Sequence, residues 1–260
     1  MTTRFITDLI LSNAFELYGQ PKWTFGKNTC NTYEVFAEVV HMPGGGTMPA
    51  KLLLDLIERD QNLTMVFSQW FLEAAITSAA KLCEDTHSHV TLSLNLFPQY
   101  ANQDLFVERV VELLEKTGFP HKKLQFELSE AQRLGTKGIE NLNRLHDEHG
   151  IGLYLANFGK GYANINLLKD VHFDGIELDR SFAVGVPEDD QASLMVFAVH
   201  NFAHALDLQV CAKGIETPEQ FEFFEELKCF KGQGYIIGKP LPMTELEEYI
   251  EMYALHVQED

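Results

Sequence analysis

Short apolar runs alternate with longer amphipathic stretches along most of the chain. The short runs are rich in β-branched and aromatic residues, which favours strands, whereas the longer ones repeat apolar residues at helical spacing. Strands are predicted at 32–40, 89–97, 122–128, 151–156, 174–178, 208–212 and 234–237. Helices are predicted between them at 49–59, 65–82, 105–118, 138–150, 192–206 and 218–227.

Regular alternation of strand and helix over about 250 residues is typical of a (β/α)8 barrel. The sequence therefore predicts an α/β fold of the TIM-like barrel class. The runner-up is a doubly wound open sheet, which would require a glycine-rich phosphate loop after its first strand. The glycines of MPGGGTMP, at 42–49, do not have that spacing. Because no low-complexity segment or Pro/Ser-rich linker divides the chain, residues 1–260 are expected to form a single domain.

Two helix starts carry capping signals. Thr217 precedes a proline and is followed by Gln220 at the capping-box position. Residues 244–247 repeat this pattern before a last helix. The apolar residues of that helix expected to face the core are Leu246, Ile250 and Leu255.

Charge and cysteine usage narrow the class of protein. A formal charge of −18 argues against binding to nucleic acid or to an anionic membrane. From Glu216 onward, eleven acidic residues face three lysines, which indicates either a solvated acidic face or a surface for a basic partner. Four cysteines without C-x-x-C spacing indicate reduced thiols. Since neither a signal peptide nor a membrane-spanning stretch is present in the sequence, a cytoplasmic protein is expected.

Polar side chains end nearly every predicted strand. The residues at these strand ends are, in chain order, Glu34, Asn95, Glu127 with Glu130, Ala156 with Asn157, Glu177, Lys213 with Glu216, and Gln233. In a barrel these positions meet at one mouth, where active sites are built. Several carboxylates and an asparagine converging there would suit an oxygen-ligated divalent cation. The alternative is a set of unrelated loop caps.

Over most of its length the chain resembles the EAL family of bacterial cyclic-di-GMP phosphodiesterases. The segments that carry the resemblance are YGQP (18–21), YEVFAEVV at the Glu-Ala-Leu motif, LSLNLFP, FELSEAQ, LANFGKGYANINLL in place of an Asp-Asp-Phe-Gly loop, IELDRSF in place of Lys-Ile-Asp-Arg-Ser-Phe, AKGIETPEQF in place of Ala-Glu-Gly-Val-Glu-Thr, and QGYIIGKPLP. This order of motifs implies the EAL type of TIM-like barrel.

The resemblance implies a metal-dependent site that this chain has altered. Family members hydrolyse one phosphodiester of the cyclic dinucleotide with two Mg²⁺ or Mn²⁺ ions. Glu34, Asn95 and Glu127 match family metal ligands, but the Asp-Asp pair that bridges the metals is Ala156-Asn157 here. Because two cations about 3.5–4 Å apart need anionic bridges, no metal cofactor is expected.

Three further family positions change charge. The family lysine beside the attacking water is Glu177, and the glutamate of the Ala-Glu-Gly segment is Lys213. This reciprocal exchange predicts that the two side chains contact each other and close the former metal site. The family arginine that contacts a ligand phosphate is Glu38, which opposes a dianionic ligand. No catalytic residue is therefore expected to be intact.

These departures predict a catalytically inactive EAL-like adaptor or regulator in cyclic-di-GMP-related signalling, of the kind that controls motility or biofilm formation. It would act by contact with an unidentified protein partner, and the retained GKGYANINLL loop would support a homodimer. One alternative is a non-hydrolysing cyclic-di-GMP receptor with weak affinity, and a less favoured one is a residual phosphodiesterase. The vestigial ligand-binding positions are Gln20, Glu34, Glu38, Glu216 and Gln233.

Smaller signals are expected to be structural. His146 and His149 flank Asp147 in HDEHG, and His200 and His204 have the i, i+4 spacing of helical zinc ligands. Since neither pair has an assignable third ligand, surface or packing roles are predicted. The aromatic stripes of EFFEEL and VFAVHNFAHAL are expected to face the core.

Overall fold

The computed structural model describes residues 3–41, 45–48, 50–129, 134–159 and 166–254. Its strands are β1 (Phe15–Thr24), β2 (Thr29–Val39), β3 (Thr91–Leu96), β4 (Leu124–Ser129), β5 (Gly152–Phe158), β6 (Gly175–Leu178), β7 (Gln209–Lys213), β8 (Lys231–Gln233) and β9 (Leu241–Pro242). Its helices are α1 (Thr3–Leu11), α2 (Ala50–Ile57), α3 (Gln61–Thr86), α4 (Pro98–Ala101), α5 (Phe106–Thr117), α6 (Thr136–His149), α7 (Leu167–Asp170), α8 (Asp190–His204), α9 (Pro218–Glu226) and α10 (Leu246–Ala254).

Strands β1 to β8 close into a barrel, which confirms the predicted fold class. Neighbouring strands from β2 to β8 are parallel, and β1 lies between β2 and β8, antiparallel to both. The short strand β9 pairs with Tyr18 and Gly19 of β1, while β8 pairs with Trp23 and Thr24 of the same strand. The barrel therefore has one reversed strand, and no helix separates β1 from β2.

Strand β1 was not predicted, because Gly19 and Pro21 in its middle are typical of turns. In the structure, a Cβ at position 19 would overlap the side chain of Leu246, so glycine lets α10 pack closely on this strand. The predicted strand at 234–237 is wrong. Strand β8 ends at Gln233, and Gly234 then lies against the backbone of Ile215 as the chain turns.

The predicted helices are present, with bounds set by their caps. The Thr217 side chain accepts a hydrogen bond from the Gln220 backbone N–H, and the Gln220 side chain caps the backbone of Thr217, which confirms the capping box of α9. A 3-10 turn over Met243–Glu245 precedes α10, so this helix begins at Leu246, later than the capping pattern predicted. Leu246 and Ile250 are buried as expected, whereas Leu255 lies outside the described residues.

Alternation along the strands separates two environments. In β4, Leu124, Phe126 and Leu128 point out to the layer of helices, while Gln125 and Glu127 point into the barrel. The apolar core thus lies between barrel and helices, and the barrel interior is polar. Among the described helices, none is long and apolar enough to cross a membrane.

The aromatic stripes divide between core and surface. Phe224 of α9 is fully buried, as predicted. The prediction is wrong for much of α8, where Leu194, Met195 and Phe197 are 67%, 55% and 43% exposed. Helix α8 buries Val196 and Ala203 among its described residues, because it packs on the barrel along a narrow seam.

Candidate functional site

Strands β1 and β2 are antiparallel, and each places a row of side chains inside the barrel. Gln20 pairs with Glu34 across the antiparallel ladder, and Lys22 lies two residues deeper on the same face of β1. Towards the mouth, the same face of β2 carries Glu38, opposite Glu16. The register therefore places an ionisable group both deep in the barrel and at its rim.

Lys213, at the end of β7, projects into a group of three carboxylates. Its Nζ lies 3.0 Å from Oε2 of Glu34, 2.7 Å from Oε2 of Glu127 and 2.8 Å from Oε2 of Glu177. The first two contacts are hydrogen bonds. The third is an ion pair without hydrogen-bond geometry. The predicted contact between Glu177 and Lys213 is thus present in the structure.

A second lysine, Lys22, lies beneath this group and was not predicted. It is fully buried, and its Nζ donates hydrogen bonds of 2.5 Å to Oε1 of Glu127 and of Glu177. The Ser93 hydroxyl also donates to Oε1 of Glu127, at 2.5 Å. The ionic cluster, as we call it, therefore comprises Lys22, Lys213, Glu34, Glu127 and Glu177.

The amide side chains at the barrel mouth are hydrogen bonded to this cluster. Asn95 Nδ2 donates to Oε1 of Glu34 at 2.9 Å, and Gln233 Nε2 donates to Oε2 of the same residue at 2.9 Å. Gln233 also contacts Oε1 of Gln20 at 3.3 Å, and Gln20 donates to the carbonyl oxygen of Gly238. Glu34 thus accepts from two amides and one ammonium.

Charge balance explains how the cluster ionises. Burial opposes ionisation of Glu127, but the ammonium groups of Lys213 and Lys22 outweigh it and hold the pKa of this carboxyl well below its usual range. Burial and then the neighbouring Glu127 carboxylate raise the pKa of Glu177 to about 7. Against burial, the carboxylates of Glu127 and Glu177 raise the pKa of both lysines. The two ammonium groups are balanced by two carboxylates, and the third carboxyl, that of Glu177, retains its proton to higher pH.

Another buried lysine, Lys231, lies below the cluster. Lys231 Nζ donates to Oε1 of Gln125 at 3.4 Å, and Gln125 in turn donates to the Ser93 hydroxyl at 2.8 Å. Burial, followed by repulsion from Lys22, lowers the pKa of Lys231 to about 8. These polar residues continue the hydrogen-bond network to the bottom of the barrel interior.

Among the described residues, Ala156, Asn157 and Glu216 make no side-chain hydrogen bond or ion pair with the cluster. Ala156 is fully buried on β5, and Asn157 adopts a left-handed backbone with φ of 55° at an irregularity in that strand. The Glu216 side chain is exposed, and its backbone N–H donates to Oε1 of Gln220 at 2.8 Å. Glu130 lies outside the described residues.

Glu38 lies in an acidic environment at the rim. It faces Glu16 across the ladder, and the Tyr18 hydroxyl donates to Oε2 of Glu16 at 3.0 Å. This hydrogen bond, burial and the nearby charges of Glu16, Glu38 and Glu245 raise the pKa of Tyr18. The rim position at which the resemblance implies a phosphate-binding arginine therefore has a negative potential.

The sequence pattern predicts four of the five cluster residues but not Lys22, and it does not predict the neighbouring Ser93, Gln125 and Lys231. The available signal was a lysine two residues from Gln20, which shares its strand face once β1 is recognised as a strand. A lysine in a strand is more often solvent exposed, and its partners here are more than 100 residues away in sequence.

Two curated proteins of Pseudomonas aeruginosa are similar to this chain over most of its length. Cyclic di-GMP phosphodiesterase RocR of Pseudomonas aeruginosa is 28% identical over 237 residues, which are 90% of this chain and 59% of that protein. Cyclic di-GMP phosphodiesterase NbdA of the same organism is 28% identical over 240 residues, covering 92% of this chain and 30% of NbdA. The chain thus spans less than two thirds of the length of these curated relatives.

Solved structures show the same fold. The EAL enzyme Bd1971 in its cAMP- and cyclic-di-GMP-bound form superposes with a TM-score of 0.87 at 23% identity, over 95% of this chain and 68% of that one. The PaMucR phosphodiesterase in complex with c-di-GMP gives a TM-score of 0.82 at 24% identity, over 95% and 100%. The EAL domain family model matches residues 4–240 of the sequence. The chain therefore belongs to the EAL-domain family.

Proposed function

We propose that this chain is a catalytically inactive EAL-domain protein that takes part in cyclic-di-GMP signalling, such as control of motility or biofilm formation, through protein contact rather than hydrolysis. The relatives named as cyclic di-GMP phosphodiesterases support this pathway. The observation that carries the proposal is the Lys213 ammonium, which contacts Glu34, Glu127 and Glu177 at once. A cation supplied by the protein itself thus neutralises the oxygen atoms that a metal would require.

The residues present do not fit a pair of Mg²⁺ or Mn²⁺ ions. Two divalent ions would add four positive charges next to the ammonium groups of Lys22 and Lys213, and repulsion at such distances is strong in a buried site. Ala156 supplies no oxygen ligand, and Asn95 turns its NH₂ group towards Glu34. No reaction step through these metals follows from this arrangement.

The site also disfavours the dinucleotide itself. Its two phosphates would approach Glu38 and Glu16, which repel anions. The Gln233 side chain donates to both Gln20 and Glu34, so binding would have to break these hydrogen bonds. We therefore expect cyclic-di-GMP to bind weakly or not at all.

A non-hydrolysing receptor is the second candidate. It is supported by the retention of Gln20, Glu216 and Gln233, and by the exposed position of the Glu216 side chain at the mouth-side end of β7. A residual phosphodiesterase is a third candidate and requires Lys213 to leave the carboxylates. These alternatives differ from the adaptor in whether ligand binds and whether it is cleaved.

The adaptor would contact its partner through an apolar surface on the outside of the barrel. Val184, Leu194, Met195 and Phe197 are between 43% and 71% exposed. Contiguous exposed apolar surface is typical of interaction sites, and Leu194 and Phe197 lie one turn apart on α8. A homodimer through the GKGYANINLL loop stays a prediction, since residues 160–165 lie outside the described part of the chain.

Titration calorimetry with cyclic-di-GMP, first in EDTA and then in MnCl₂, tests the proposal. The adaptor predicts no binding heat in either buffer and no linear dinucleotide by chromatography. Metal-independent binding that is abolished by Gln20→Ala or Glu216→Ala would favour the receptor. Mn²⁺-dependent release of the linear product would favour the phosphodiesterase and contradict the proposal.

A further inference from the structure

A group of histidines and aspartates lies on the barrel end opposite the ionic cluster. His146 and Asp147 belong to the last turn of α6, and His172 and Asp174 lie in the connection from α7 to β6. Because these segments lead into the amino-terminal ends of β5 and β6, the group is separate from the barrel mouth. Its properties do not depend on the proposed function.

Three side chains of this group converge on one point. His146 Nδ1 lies 2.8 Å from Oδ1 of Asp147, and His172 Nδ1 lies 3.0 Å from both Oδ1 and Oδ2 of that aspartate. One ligand atom from each residue lies within 4.8 Å of the other two. His172 is the third ligand that sequence spacing could not supply, because it is 25 residues from Asp147.

The outer contacts orient these groups. Asp174 Oδ1 lies 3.3 Å from His146 Nε2, and its Oδ2 accepts a hydrogen bond of 2.8 Å from the Leu153 backbone. When Nε2 carries the proton, Nδ1 of His146 has a lone pair available for a metal ion on the side of Asp147 and His172. A carboxylate on the far nitrogen of a histidine is the usual support of a metal ligand.

The backbone of His172 is also fixed. Its N–H donates to Oδ1 of Asn143 at 3.0 Å, and Asn143 Nδ2 donates to the carbonyl oxygen of Asp170 at 2.9 Å. Asn143 lies one turn before His146 on α6, so it fastens the α7–β6 connection to this helix. The two halves of the group are thus held together by contacts outside the ligand atoms.

We propose that His146 Nδ1, His172 Nδ1 and an oxygen of Asp147 bind one Zn²⁺ ion, with water completing the coordination. Two imidazoles and one carboxylate match the ligand types that zinc prefers, and three protein ligands leave one tetrahedral position open. The ligand atoms are now 2.8–3.0 Å apart and would separate to about 3.3 Å around a tetrahedral ion with bonds of about 2.0 Å. Bound zinc would tie α6 to the connection before β6.

The test is a zinc titration of tag-free protein against a chelating indicator, with His172→Ala, Asp147→Asn and His149→Ala as variants. His149 is the matched control, because it ends α6 three residues after His146 but is not one of the three proposed ligands. Its ring centroid lies 5.6 Å from that of His121. One equivalent of zinc should bind the wild type and His149→Ala alike. Loss of a ligand at position 147 or 172 should weaken binding at least as much as the roughly 10-fold to 100-fold typical of lost supporting contacts.

Thermal unfolding provides a second readout that does not depend on the indicator. Zinc should raise the melting temperature of the wild type and of His149→Ala, and should leave that of His172→Ala unchanged. Equal affinity in the wild type and in His172→Ala would overturn the proposal, because the ion would then bind elsewhere. The proposal would also be overturned if the wild-type protein failed to withhold one equivalent of zinc from the indicator.

Discussion

Replacing Lys213 with methionine removes the ammonium group that three carboxylates share and keeps a side chain of similar length. Each contact, at 2.7–3.0 Å, corresponds to about 6 kcal/mol of attraction at an effective dielectric constant of about 20. The net cost is expected to be much smaller than the sum of three such contacts, because burying the ammonium group itself costs several kcal/mol.

Protonation limits the cost further. Glu177 has its pKa raised to about 7, so at neutral pH it can take up a proton with little loss of free energy. Glu34 is 16% exposed and regains some hydration. Glu127 is fully buried and would retain Lys22 as its one remaining cationic partner among the described residues. We therefore expect Lys213→Met to lower the free energy of unfolding by about 3–5 kcal/mol, the range for breaking a buried ion pair.

Urea unfolding at pH 7, followed by circular dichroism, measures this loss. The matched control is Lys116→Met, which removes an exposed pair with Glu73 at 3.2 Å and should cost less than about 1 kcal/mol. Adding Glu177→Gln to Lys213→Met should recover part of the loss, since it leaves Glu127 as the one carboxylate that shares Lys22 among the described residues. A Lys213→Met variant as stable as the Lys116→Met control would refute the reasoning.

Three further predictions follow from the described contacts. The double variant Glu177→Lys with Lys213→Glu should be less stable than the wild type, because a lysine at 177 would face Lys22. Adding Lys22→Met to this double variant should restore the melting temperature. A double variant as stable as the wild type would contradict this. Because the pKa of Glu177 is raised, the folded state holds this proton between about pH 4.5 and 7, where the unfolded state has lost it. The free energy of unfolding, relative to that of Glu177→Gln, should therefore fall by about 3 kcal/mol as the pH rises through that window. A difference in urea unfolding that stays constant with pH would count against this. Thr217→Ala should cost about 1 kcal/mol through loss of the capping box, with no change in melting temperature as the opposing result.

The barrel could be predicted from the sequence because its signal is local and repeated. Apolar alternation in segments such as 122–128 and the capping residues Thr217 and Gln220 act within a few residues of each other. The reversed strand β1 could not be predicted, since Gly19 and Pro21 are unfavourable in isolated strands. Gly19 is compatible with the strand here because the Leu246 side chain packs directly against it.

The sequence indicated most of the individual residues of the candidate site, but not all of the contacts between them. Reciprocal substitution pointed to Glu177 and Lys213, whose contact the structure contains. The role of Lys22 required the register of β1 against β2, and the third member of the surface histidine group required the position of His172. Both depend on contacts between distant segments, which local patterns do not encode.

An anomalous difference map from a crystal soaked in MnCl₂ tests the central claim most directly. The account predicts no manganese peak among Glu34, Glu127 and Glu177, with the Lys213 ammonium still in contact with all three carboxylates. Two peaks about 3.5–4 Å apart at this position, with Lys213 displaced from the carboxylates, would contradict it.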